Sequence, residues 1–147
     1  MKVNQQSSRL NVLLADDDMD DRFFFDRALQ EIPLATTLST VSNGEQLMQY
    51  LDDHTEQLPD VLFLDLSMPR KTGFECLAEI KENKKFNALT VIMFTTSFTR
   101  GIDLEDNLKI TLSRMGAEDY IRKPGDYNEL KNVIHQALNC ILDKKVN

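Results

Sequence analysis

The chain has 147 residues, of which 41% are hydrophobic and 28% charged, and its 17 Lys and Arg against 24 Asp and Glu leave a formal charge of −7. That length and apolar content suit one compact domain that buries its own core, and argue against intrinsic disorder. The acidic balance speaks against direct contact with nucleic acid or anionic membranes and favours cationic partners or metal ions.

Residues 1–8 are polar and lack the apolar segment of a signal or transit peptide, so they are read as a flexible tail of a cytoplasmic protein. A first strand is predicted over Leu10–Ala15, followed by a helix whose stripe is Phe24, Phe25, Ala28, Leu29 and Ile32. The triplet Phe23-Phe24-Phe25 is wider than one helix face, which predicts one ring near the surface. A second strand is expected over Thr36–Val41, then a helix with Leu47, Met48 and Leu51 after Asn43-Gly44. Val61–Leu64 is a solid apolar run, succeeded by a helix bearing Phe74, Leu77 and Ala78. Val91–Phe94 is another run, and Leu104, Leu108, Leu112 and Met115 mark the helix after it, with acids at its start and Arg114 near its end, as the helix dipole favours. Glu118–Arg122 completes the strands. The last helix carries Leu130, Val133, Ile134, Ala137, Leu138 and Ile141, which leaves residues 144–147 as a polar tail and no room for an output domain.

The longest apolar runs hold about four residues, far below the roughly 20 of a membrane-spanning helix. Cys76 and Cys140 lack the paired spacing of a zinc site and are expected as buried, reduced thiols. His54 and His135 fall on helical segments without partners, as structural or surface residues.

Five alternations of strand and helix predict a doubly wound (βα)5 α/β domain, with right-handed crossovers and a parallel sheet covered on both faces. Ligands of such sheets bind beyond the carboxyl ends of the strands. Asp16, Asp17 and Asp18 follow the first strand, Asp65 the third, Thr95 and Thr96 the fourth and Lys123 the fifth, so these residues are expected to converge. Two carboxylates about 5 Å apart repel by roughly 3 kcal/mol at an effective dielectric near 20. A small hard cation relieves that repulsion. Mg²⁺ suits the purpose because it takes one or two carboxylates, keeps several waters and leaves positions for phosphate oxygens. An Asp can attack a phosphoryl group when metal and Lys offset the negative charge, and Lys123 and Thr95 stand where they can assist.

Taken together, Asp16-Asp17, Asp65 in Leu-Asp-Leu-Ser-Met-Pro, Thr95 and Tyr120-Ile-Arg-Lys123-Pro124 resemble the receiver domain of two-component response regulators, especially stand-alone members like the chemotaxis regulator. The resemblance runs from about Leu10 to about Ile141, within a domain drawn at residues 9–143. It implies a flavodoxin-like sheet of strand order 2-1-3-4-5. It further implies that Asp65 accepts the phosphoryl group from a sensor histidine kinase or His phosphotransfer protein. Asp17 and Asp65 would bind Mg²⁺ directly, Asp16 through water, and the Ser67 backbone carbonyl would be a further ligand. Lys123 and Thr95 would hold the phosphoryl group, and Tyr120 would follow Thr95 inward to signal a downstream protein target. A homodimer is left open.

Some positions depart from the common pattern. Ser67 replaces a frequent Asn, Thr72 stands where an Asp is common and receives no role, and Ser67 and Ser97 occupy positions that influence attack by water in the family. The segment from Ser97 to Met115 is longer than usual and is expected to shape partner choice. Lys123-Pro124 is expected as a cis peptide by resemblance alone. Asp18, Asp20 and Asp21 are read as helix-capping and helix-charging residues. Two other functions compete. One is a haloacid dehalogenase-type phosphatase, with Asp16-x-Asp18 as its nucleophile motif, and the other is a receiver fold that binds without being phosphorylated.

Overall fold

Solid apolar runs become strands here because both of their faces are covered. The structure, a computed structural model, describes residues 9–96 and 102–146. In chain order its elements are β1 (Leu10–Ala15), α1 (Met19–Glu31), β2 (Thr36–Val41), α2 (Gly44–Asp53), β3 (Val61–Leu64), α3 (Gly73–Glu82), β4 (Thr90–Thr95), α4 (Ile102–Arg114), β5 (Asp119–Arg122) and α5 (Tyr127–Val146), with a 3₁₀ turn at Lys84–Phe86. The strands form one sheet in the order β2-β1-β3-β4-β5, every neighbouring pair parallel. The expected doubly wound fold and strand order are therefore present.

Alternation along each strand divides the core in two. Leu13, Leu62, Leu64, Val91 and Met93 pack with Leu47, Leu51, Leu77, Ile80 and Leu112 from α2, α3 and α4. The alternate residues Leu10, Val12, Leu14, Val61, Phe63, Ile92 and Phe94 pack with Phe25, Ala28, Leu29, Ile134 and Leu138 from α1 and α5. On this second face Phe25, Phe63 and Phe94 meet edge to face, their centroids 5.0 to 5.7 Å apart. Such pairs add roughly 0.5–1.5 kcal/mol each to the burial of their rings.

Polar side chains start the helices where the pattern changes period. Asp18 caps α1 by accepting from the Asp21 backbone N–H, and Asn43 caps α2 by accepting from that of Gln46. Thr72 and Glu75 form a reciprocal capping box on α3, so Thr72, given no role from sequence, has a structural one.

Several expectations are corrected in detail. Strand β4 begins at Thr90 and includes Thr95, and β5 begins at Asp119 rather than Glu118. Helix α5 continues to Val146, so residues 144–146 extend the helix instead of leaving it as a tail. Of the three phenylalanines only Phe25 is buried, while Phe23 and Phe24 are both exposed, because α1 turns just one ring of the triplet onto the sheet. The Lys123–Pro124 peptide is trans, so the cis bond implied by resemblance is not adopted. His54 is not an isolated surface residue, since its ring stacks on Tyr50 and its Nδ1 lies 2.7 Å from the Tyr50 carbonyl. Cys76 is buried as expected, but Cys140 is exposed because α5 turns it away from the sheet; both are free thiols. Residues 1–8, Ser97 and the start of the segment after it lie outside the described residues. Among the described residues no helix is long and apolar enough to cross a membrane.

Candidate functional site

Parallel strands deliver their carboxyl ends to one rim, and the backbone ladder carries on just past them. The Asp65 N–H donates to the Ala15 carbonyl over 3.0 Å and the Lys123 N–H to the Thr95 carbonyl over 2.9 Å. These bonds tie the ends of β1 and β3, and of β4 and β5, in register. Asp16, Asp65, Thr95 and Lys123 consequently meet although the sequence separates Asp16 from Lys123 by 107 residues.

Asp65 is the centre of the group. The Thr95 hydroxyl donates to its Oδ1 over 2.7 Å, the Ser67 backbone N–H to the same oxygen over 3.1 Å, and the Lys123 ammonium to Oδ2 over 3.1 Å. Thr95 and Asp65 are buried, so these bonds are made with little competing water. Gly73, at the start of α3, presses directly on this loop: a Cβ there would come within 2.3 Å of the Asp65 carbonyl oxygen.

Asp16 is as deeply buried as the core, at 1% exposure. Its Oδ2 accepts from Lys123 over 2.6 Å and its Oδ1 from the Asp18 backbone N–H over 3.0 Å, while Arg22 donates to its carbonyl over 2.7 Å. Burial dominates its ionisation and raises its pKa to about 6, against the opposing pull of Lys123 and the Asp18 N–H. Lys123 faces the same penalty, but there the hydrogen bonds it donates to Asp16 and Asp21 outweigh desolvation and hold the ammonium above the usual lysine range.

Asp17 is exposed and points its carboxylate to the same rim. One oxygen each from Asp16, Asp17 and Asp65 lie within 4.8 Å of one another, an all-oxygen set that can hold a metal ion. Their chemistry fits a hard divalent cation, because two of the three carboxylates are buried and their net charge exceeds what Lys123 alone can offset. A cleft of about 320 Å³ opens beside the site between Asp21, Phe24, Phe94, Lys123, Pro124 and Tyr127. A larger groove, about 520 Å³, lies at the opposite rim among Asp60, Lys85, Thr90 and Lys144 and includes none of these residues.

The expected residues thus divide plainly. Asp16, Asp17, Asp65, Thr95 and Lys123 come together, and Ser67 joins them through its backbone N–H, its side chain being exposed. Tyr120 stands apart, half-buried against α4, where its hydroxyl donates to Glu105 Oε2 over 3.1 Å and Arg122 donates to Oε1 over 3.2 Å. Burial and the Glu105 carboxylate push the Tyr120 phenol up to about 12. Asp18 is turned to its capping bond, away from the role that a phosphatase nucleophile pair would assign it. Asp21 corrects the sequence reading: rather than merely charging the helix start, it accepts from Lys123 over 2.8 Å. No local spacing signals this contact, because it joins the first turn of α1 to the end of β5 across 102 residues.

Comparisons with known proteins agree with this geometry. The family model of the response regulator receiver domain matches residues 12–135. Protein PilG of Pseudomonas aeruginosa is 28% identical over 132 residues, covering 90% of this chain and 90% of its own. The two-component response regulator ARR5 of Arabidopsis thaliana is 31% identical over 136 residues, covering 84% of this chain and 68% of its own. Among solved structures, the phosphorylated cyanobacterial phytochrome response regulator RcpA superposes with a TM-score of 0.75 at 26% identity, covering 88% of this chain and 91% of its own. With its sheet order, its acidic rim and a family match over most of its length, the chain belongs to the response regulator receiver domain family.

Proposed function

We propose that the domain drawn at residues 9–143 is a phosphorylation-controlled switch, which accepts a phosphoryl group on Asp65 and signals by binding another protein. The observation that carries this reading is the meeting of Thr95 and Lys123 on the two oxygens of one buried carboxylate, beside Asp16 and Asp17. A sensor histidine kinase or His phosphotransfer protein is the donor. In the transfer an Asp65 oxygen attacks phosphorus, the bond from phosphorus to the imidazole nitrogen breaks, and that nitrogen leaves with the electron pair. The product is an acyl phosphate.

Asp17 and Asp65, with Asp16 through water and the Ser67 carbonyl, are the residues proposed to hold Mg²⁺. When bound, that ion supplies positive charge for the incoming phosphoryl oxygens. Lys123 supplies a second positive charge, and the Thr95 hydroxyl donates a hydrogen bond to a phosphoryl oxygen once Asp65 carries the phosphoryl group. Because Thr95 ends β4 and Tyr120 lies in β5, any movement of Thr95 reaches Tyr120 through adjacent strands. The Tyr120–Glu105 bond is where β5 grips α4, and its rearrangement alters the surface that a target reads. On this reading the domain is a signalling phosphoacceptor of the cytoplasm rather than an enzyme with a separate substrate.

Intact mass after incubation with Mg²⁺ and acetyl phosphate tests the proposal. One base-labile phosphoryl group on the wild type, absent from Asp65→Asn and from an EDTA control, is the expected result. Turnover of phosphomonoesters that survives Asp65→Asn but is lost in Asp16→Asn would replace it with the phosphatase reading.

A further inference from the structure

Lys123 has three ammonium protons and three carboxylate acceptors. Asp16 lies 2.6 Å away, Asp21 2.8 Å and Asp65 3.1 Å, so the contact with the proposed acceptor is the longest. The Lys123 side chain is only 9% exposed, which leaves little room for water to join the set, and an ammonium has no fourth donor. A new oxygen on Asp65 can receive a Lys123 proton only if one present acceptor yields.

The three acceptors are not equivalent. Asp16 and Asp65 belong to the group of oxygens that can hold a cation, whereas Asp21 does not. Asp21 sits in the first turn of α1, with its backbone N–H committed to the Asp18 cap and its side chain 40% exposed. It therefore draws the ammonium outward, toward solvent, while Asp16 and Asp65 hold it inward.

We infer that Asp21 is a positioning residue that divides the charge of Lys123 between the α1 face and the Asp65 carboxylate. The inference rests on the reading of Asp65 as phosphoacceptor. By neutralising part of the ammonium, Asp21 makes the rim more favourable for a cation at Asp16, Asp17 and Asp65. By the same neutralisation, and by its own negative charge, it makes Asp65 less favourable for an incoming phosphoryl group. Asp21 thus favours one ligand and hinders the other. A residue that merely supported the fold of α1 would move both in the same direction.

The test compares wild type, Asp21→Asn and Asp21→Glu in two measurements. The first is Mg²⁺ affinity by calorimetric titration, and the second is the rate of adduct formation from acetyl phosphate at saturating Mg²⁺, followed by intact mass. Asp21→Asn keeps the shape and an acceptor oxygen but removes the charge. It should weaken Mg²⁺ binding about threefold or more and speed adduct formation about threefold or more, while Asp21→Glu returns both toward wild type. If neither quantity changes, or both fall together, the inference is overturned. Absence of any adduct in the wild type would refute the acceptor reading by itself. In that case Mg²⁺ affinity alone decides: weaker binding in Asp21→Asn upholds the division of charge, and unchanged binding rejects it.

Discussion

Thr95 donates its hydroxyl proton to Asp65 Oδ1 over 2.7 Å, joining the ends of β4 and β3 inside a site where both side chains are buried. This bond exists before any phosphoryl group arrives, so Thr95 already faces the carboxylate it is proposed to serve. Thr95→Val preserves the shape and deletes the donor. It should cost about 1.5–3 kcal/mol at neutral pH, the range for a hydrogen bond to a charged acceptor, while Thr95→Ser stays close to wild type. Urea unfolding in EDTA measures the difference.

Asp16 is predicted to lower the stability of the metal-free protein at neutral pH. Burial raises its folded pKa from 3.8 to about 6, so between those values the folded state binds more protons than the unfolded state. Stability contributed by this group is then lost as pH rises from about 4 to about 6. Asp16→Asn should be nearly neutral at pH 4 and more stable than wild type at pH 7.5. Parallel thermal melts in EDTA at the two pH values check the sign, and a larger loss at pH 7.5 would reverse the argument.

Glu105 joins Tyr120 and Arg122, and these partners act oppositely on the phenol. Glu105→Ala should bring the Tyr120 midpoint down from about 12, because it removes a hydrogen bond and a negative charge that favour the protonated ring. Arg122→Ala should not bring it down, because the guanidinium favours the phenolate. Carbon-13 labelled tyrosine followed by NMR separates Tyr120 from Tyr50 and Tyr127.

The two thiols should differ sharply in reactivity. Cys140 is exposed, whereas burial pushes the Cys76 thiol up to about 12 and leaves it protonated at ordinary pH. A disulfide reagent at pH 8 should therefore modify one thiol promptly in the folded protein and the second only on unfolding. Cys140→Ser should abolish the prompt phase.

Gly73 offers a test of packing around the acceptor loop. A Cβ there would stand 2.3 Å from the Asp65 carbonyl oxygen and 2.7 Å from Leu66 Cα, both backbone atoms that yield only if the loop shifts. Gly73→Ala should destabilise the domain by about 1–3 kcal/mol, as overpacking does, and slow labelling of Asp65 as well. Gly125→Ala, with nothing within 4 Å of the new carbon, is the control in the same chemical-denaturation series.

What could be read before the structure was whatever depends on local pattern. Val61–Leu64 and Val91–Phe94 identify themselves as central strands because residues buried on both faces must all be apolar, and Asp65 and Thr95 follow from where those runs end. Relations created by packing were not visible. The Asp21–Lys123 bond needs α1 and the end of β5, 102 residues apart, to come together, and no spacing rule encodes that distance. Thr72 is a case where the sequence does carry the signal, since Thr followed three residues later by Glu marks a helix start whatever residue is common at that place elsewhere. The end of α5 is hidden in the sequence because its last turn is polar, yet a helix packed along its earlier turns continues without an apolar stripe at its end.

The sheet order also governs how the chain can be made. Strand β1 lies between β2 and β3, and its pairing with β3 joins Val12 to Val61. During synthesis from the amino terminus, β2 can cover one edge of β1 early, but the other edge must wait until residues 61–64 have left the ribosome. Until then an apolar strand presents unpaired backbone groups, the condition under which chains join edge to edge. Once made, β3 in turn waits for β4, so a pause in translation before β3 or between β3 and β4 leaves an apolar central strand open and should raise aggregation more than one placed after β5.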